Sequence, residues 1–132
     1  MANTILKRTL VDGPRNLVVH LLLQSDGSEE TDYLLIDAST YTPAFEDEAV
    51  MKVDYAITNT ATANTPVVTL EWEASTDVIF LTLGANSGCY DFTDVGGISN
   101  NASTGKNGDI LMTTTGFAAN DTLAMTIYLK KK

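Results

Sequence analysis

The 132 residues, 44% of them hydrophobic, suffice for one domain with its own core but not for two. The formal net charge of −9 is uneven: residues 16 to 129 hold all but one of the 17 acids and only two of the eight bases, Lys52 and Lys106, a body that repels nucleic-acid phosphates. The single cysteine, Cys89, excludes an intrachain disulfide and a multi-thiolate zinc site, and no apolar run approaches the roughly 20 residues of a membrane-spanning helix, so neither nucleic acid nor membrane is an expected partner.

The opening Met1–Arg8 carries charge with no apolar signal-peptide core behind it, which predicts a chain made in a cytoplasm. Residues 1–4 are expected to form a terminal arm. Strands follow over Ile5–Val11 and Asn16–Leu23, joined by Asp12-Gly13-Pro14-Arg15, where Gly permits positive φ and Pro fixes φ. The polar breaker Ser25-Asp26-Gly27-Ser28 precedes a short strand, Tyr33–Ile36, and Thr40–Glu48 reads as a crossover connection.

From Val50 to Ile57 the apolar period is two. Met51, Val53, Tyr55 and Ile57 share one face, with Lys52 and Asp54 in the middle of the other. Beyond a polar breaker at 59–64, Val68, Leu70 and Trp72 alternate with Thr69, Glu71 and Glu73, and Val78–Leu83 adds another strand. Gly84–Gly108 holds six of the nine glycines and reads as a long loop. Its Tyr90, Phe92, Val95 and Ile98 want burial that its own backbone cannot supply, so they are expected at an intermolecular interface. Ile110–Thr114 is a further strand. In the last one, Leu123, Met125, Ile127 and Leu129 alternate with Thr122, Ala124, Thr126 and Tyr128, and 130–132 are expected as a second arm.

No segment carries a helical period with caps. About eight antiparallel strands therefore predict an all-β fold, a β-sandwich whose commonest eight-stranded form is the jelly roll. The in-phase residues Met51, Val53, Tyr55, Val68, Leu70, Trp72, Leu123, Met125 and Ile127 are expected to line one core.

Chemistry-bearing residues are sparse. His20 and Cys89 are the one imidazole and the one thiol, and nothing in the sequence brings them together, so both read as structural. Glu71 and Glu73 share a face about 7 Å apart, but no glycosidase motif surrounds them, and a solvated acidic face is the simpler reading. Asp26–Asp32 offers oxygen ligands on a turn without calcium-loop spacing. Asp91, Asp94 and Asp109 flank the long loop in the same loose way. Tyr41, Tyr90, Phe117 and Tyr128 are the aromatics expected at the surface, and they form no stripe. No catalytic residue, cofactor or metal is expected. The bases at the ends, Lys7, Arg8, Lys130 and Lys131 among them, either dock onto a neighbouring acidic surface or remain a solvated tail.

Several segments together have a family look. They are Lys7-Arg8-Thr9-Leu10-Val11-Asp12-Gly13 with Asn16–His20, Asp32–Asp37, Leu70-Glu71-Trp72-Glu73-Ala74, Gly96-Gly97-Ile98, Gly108–Thr114 and the closing strand ending in Lys130-Lys131-Lys132. In these the chain resembles small structural proteins of tailed-bacteriophage virions, some of which are jelly-roll decoration (cement) proteins. The resemblance implies a non-enzymatic, symmetric protein on the capsid surface. Its implied partners are the major capsid protein and further copies of itself, a trimer being favoured. A tail or baseplate protein, or a carbohydrate- or ligand-binding β-module, are the alternatives.

Overall fold

Period-two alternation becomes strand wherever it was regular. The computed structural model describes residues 3–60, 65–84 and 86–132. Among them ten strands run in chain order: β1 (Thr4–Asp12), β2 (Asn16–Asp26), β3 (Tyr33–Ile36), β4 (Glu48–Thr58), β5 (Val67–Trp72), β6 (Val78–Leu83), β7 (Asn86–Asp91), β8 (Ile98–Ser99), β9 (Ile110–Thr115) and β10 (Ala119–Lys131). Two single-turn 3₁₀ segments, Ala38–Thr40 and Thr93–Val95, are the helical content of the described residues. The polar breaker at 59–64 lies, from residue 61 onward, outside them.

The strands pair as one long antiparallel ribbon rolled up on itself. At its tip β5 pairs with β6, and behind them β4 pairs with β7, β3 with β9 and β2 with β10. Rolling the ribbon brings β10 beside β4 and β9 beside β5. Two antiparallel sheets result: β1-β2-β10-β4-β7, with β8 also on β4, and β3-β9-β5-β6. The eight strands of the rolled ribbon are the expected jelly-roll sandwich, to which β1 adds an edge and β8 a two-residue bridge.

Inward side chains of the two sheets interdigitate. Leu17, Val19, Leu21 and Leu23 on β2 and Leu123, Met125, Ile127 and Leu129 on β10 are buried, and so are Val68, Leu70 and Trp72 on β5. Trp72 stacks on Phe80 with ring centroids 3.9 Å apart. Tyr55 packs partly buried against this core.

Three expectations are corrected. Met51 does not line the core: the β4–β10 register shifts there, pairing Lys52 with Tyr128 but Val50 with Leu129, and Val50 takes the buried position. The Gly84–Gly108 segment is not loop throughout: β7 pairs with β4 over six residues and β8 over two, while residues 100–108 remain irregular. Weak strand propensity is overridden here by pairing. Gly88 suits its place because the Tyr55 ring crosses it, and a Cβ would lie 3.2 Å from that ring. Nor do Thr4, Lys130 and Lys131 belong to arms, although residues 1 and 2 lie outside the described residues. Thr4 begins β1 and pairs with Gln24, while Lys130 and Lys131 pair with Ala49 and Glu48 in β4.

Candidate interaction surface

Strand register places the outward side chains of the larger sheet in rows that run across β1, β2, β10 and β4. One row is Thr4, Gln24, Thr122 and Thr58, and the next is Leu6, Leu22, Ala124 and Ala56. Then come Arg8, His20, Thr126 and Asp54, and finally Val11, Val18, Tyr128 and Lys52. The exposures are large for apolar side chains: Leu6 58%, Val11 47% and Leu22 42%. With Cys89 and Asp91 of β7 extending two of the rows, Arg8 and Lys52 balance Asp54 and Asp91, so this face is neutral. Lys52 lies 3.7 Å from Asp54 and 5.3 Å over the Tyr128 ring.

The opposite face differs. No Lys or Arg occurs in β3, β5, β6 or β9. The carboxylates of Asp32, Glu71 and Asp77 bring ligand oxygens within 4.8 Å of one another. Burial, then the charges of Asp32 and Asp77, hold the Glu71 carboxyl above its usual range. Glu73 accepts from Asn107 Nδ2 at 3.1 Å. Partial burial, with the neighbouring Glu73 and Asp37, pushes Asp109 up to about 6 against the bond from the Ala38 N–H.

The residues expected at an interface fare differently. Tyr90 and Val95 are exposed, at 37% and 76%. Phe92 is half-buried, and Ile98 packs against the core from β8. Tyr90 stands between Tyr55 and Phe92, each 6.1 Å away and nearly parallel, a ladder that required knowing that β7 pairs with β4. Lys7, an exposed residue, reaches across to the smaller sheet: its ammonium donates to the carbonyls of Leu34 (3.3 Å) and Leu35 (3.1 Å) and lies over the Tyr33 ring. It thereby caps the outer edge of β3, and burial lowers its pKa. Lys131 is also consumed internally, 2.7 Å from Asp12 and donating to the Pro43 carbonyl at 3.0 Å. Arg8 and Lys130 remain exposed.

The other candidate groups have local roles. His20 Nδ1 is 2.8 Å from Thr126 Oγ1, and three strand spacings, roughly 14 Å, separate His20 from Cys89 in their shared row. The Cys89 thiol bonds to Asp54, which raises its pKa. Asp26 accepts from Ser28, Glu29 from the Gly116 N–H, and Asp91 from Thr93. Among the described residues Asp91, Asp94 and Asp109 do not converge. Of the aromatics expected at the surface, Phe117 is buried, while Tyr41 and Tyr128 are half-buried.

Sequence reading missed Glu48 and Asp121, both fully shielded from solvent. Asp121 accepts from the N–H and hydroxyl of Thr60, both at 2.7 Å, and from the Ala118 N–H at 2.8 Å. Burial works against its ionisation, but these bonds prevail and hold its pKa low. An acidic residue every few positions gave no signal that these two face inward.

No family model matches the chain, and no curated protein does. Among solved structures it is similar to the CBM22-1–GH10 modules of endo-1,4-β-D-xylanase 10B from Clostridium thermocellum, solved with xylohexaose. The TM-score is 0.40 at 13% identity, over 99% of this chain and 26% of that one, so the chain spans about a quarter of that protein's modules.

Proposed function

We propose that this chain is a non-enzymatic structural protein of a tailed-bacteriophage virion. In this reading it sits on the capsid surface as a symmetric oligomer, with the major capsid protein as partner. It stabilises the shell by adding buried interface across capsomer junctions. One observation carries the reading: an acidic protein presents one broad sheet face that is neutral and rowed with exposed Leu6, Leu22 and Val11, against an opposite sheet whose strands hold no Lys or Arg and whose Glu71 lies beside Asp32 and Asp77. Covering the first face with protein removes apolar area from water at roughly 25 cal/mol per Å². The acidic face stays hydrated and repels other acidic surfaces. The edge at β7 and Thr93–Val95, with Tyr90 and Val95 exposed, remains for contact with the shell.

The test is sedimentation with purified capsids that lack the protein. Saturable binding in fixed stoichiometry, with loss of capsid resistance to heat when it is omitted, is the expected result. Binding to isolated tails or baseplates in its place moves the protein within the virion. No binding to any virion part overturns the reading. The Tyr55–Tyr90–Phe92 ladder favours one second reading, a glycan-binding module, since stacked rings at a surface suit sugar faces. A rise in melting temperature with a soluble oligosaccharide would support it.

A further inference from the structure

The rows of the larger sheet are self-complementary. A two-fold axis parallel to the strands and lying between β2 and β10 exchanges β1 with β4 and β2 with β10 while keeping every row at its own height. Two sheets stacked face to face about that axis set Leu6 over Ala56 and Leu22 over Ala124 of the second copy, large against small. Arg8 comes over Asp54, His20 over Thr126 and Val18 over Tyr128, while Val11 comes over the aliphatic stem of Lys52. An axis along the row direction through the middle of the four rows would instead set each strand over itself, with Arg8 over Leu6 and Asp54 over Ala56, so that Arg8 meets no carboxylate. Among the described residues Arg8 has no ion-pair partner within the chain, as is also true of Lys7, Arg15, Lys130 and Lys132, so its charge is open to a carboxylate of the second copy.

We propose that two copies of this chain pack the outer faces of their β1-β2-β10-β4 strands against each other about this axis, forming an isologous dimer. The inference rests on the reading that protein covers this face, and it names the first occupant as a second copy. Aligned sheets pack about 10 Å apart with their strands within roughly 30° of each other, so the register pairs stay close near the axis and diverge at the corners. Four strands about 4.8 Å apart and four rows about 7 Å apart make a face of roughly 400 Å². That is about half of a standard interface on each partner, so the dimer forms reversibly and depends on concentration. A two-fold contact of this kind closes a dimer, not the trimer that the family resemblance implies.

Analytical ultracentrifugation of the full chain across a wide concentration range tests this. The expected result is a monomer–dimer equilibrium. Leu22→Glu and, separately, Arg8→Asp each weaken it at least about tenfold, with melting temperatures near wild type because both side chains are exposed. Arg8→Asp combined with Asp54→Arg restores association, since the exchanged charges still meet across the axis. A monomer at every concentration, a trimer, or a dimer indifferent to both single variants overturns the proposal. Capsid sedimentation of the same proteins separates this from the functional reading. A monomer that binds capsids and loses binding on Leu22→Glu leaves that reading standing with the capsid as occupant. A dimer that binds no virion part sustains the dimer and overturns the reading.

Discussion

Asn100 holds Glu48 at two points: its Nδ2 donates to Glu48 Oε1 at 2.9 Å and its backbone N–H donates to the Glu48 carbonyl at 3.0 Å. Through this clasp the chain leaving β8 is tied to the first residue of β4. The other carboxyl oxygen, Oε2, is buried and has no hydrogen-bond partner among the described residues. Lys131 stands opposite Glu48 in the register but sends its ammonium to Asp12. Burial therefore dominates and pushes the Glu48 carboxyl up to about 7, helped by Asp47 and Asp109 and opposed by Asn100 and Lys106.

The pH dependence follows from that displacement. A carboxyl whose folded pKa exceeds its unfolded one binds more protons in the folded state, so stability falls as pH rises between the two values. For Glu48 that window runs from about 4.5 to about 7, and Asp109 adds to the fall in the lower part of it. The melting temperature is expected to decline across this window. Glu48→Gln keeps a neutral acceptor for Asn100 and flattens the decline. A profile equally steep in the variant would assign the effect to other groups.

Trp72→Ala removes the largest fully buried side chain and the ring on which Phe80 stacks. The expected cost is roughly 3–5 kcal/mol, read by chemical denaturation. A cost under about 1 kcal/mol would mean that the site collapses or that Trp72 lies outside the core.

Lys130 and Lys131 are neighbours in sequence with opposite surroundings. Lys131 pairs with Asp12 under the Phe45 ring, and Lys130 is exposed. Lys131→Met takes the cation from Asp12, which keeps only the bond from the Thr42 N–H, and leaves the Pro43 carbonyl without its donor, so its melting temperature is expected to fall below that of Lys130→Met. Equal melting temperatures for the two variants would contradict the internal role of Lys131.

Glu71→Gln together with Glu73→Gln relieves repulsion from Asp32 and Asp77 and leaves the bond from Asn107 an acceptor. Thermal melting at neutral pH and low salt is expected to be no lower than wild type. A marked destabilisation would show that these carboxylates hold a cation or a partner's base.

The strands with strict alternation were legible from residues alone, because a buried face imposes period two locally on each of them. Val68, Leu70 and Trp72, or Leu123 to Leu129, need no partner strand to reveal which side faces inward. The neutral face was legible only in fragments: Leu6, Leu22 and Ala124 lie far apart in the chain, and register alone sets them in one row.

The sequence by itself determined an all-β sandwich, the core-facing residues of its regularly alternating strands apart from Met51, and its acidic charge, since alternation and composition are local properties of the chain. Tertiary structure alone decided that a Gly-rich segment becomes β7 on the edge of β4. It also decided that Val50 displaces Met51 at a register shift, that Lys7 reaches the carbonyls of β3, that Lys131 turns inward, and that Glu48 loses its water. Each of these depends on which distant strand arrives alongside. A free-energy gain from a partner dozens of residues away leaves no periodic trace in the residues that receive it.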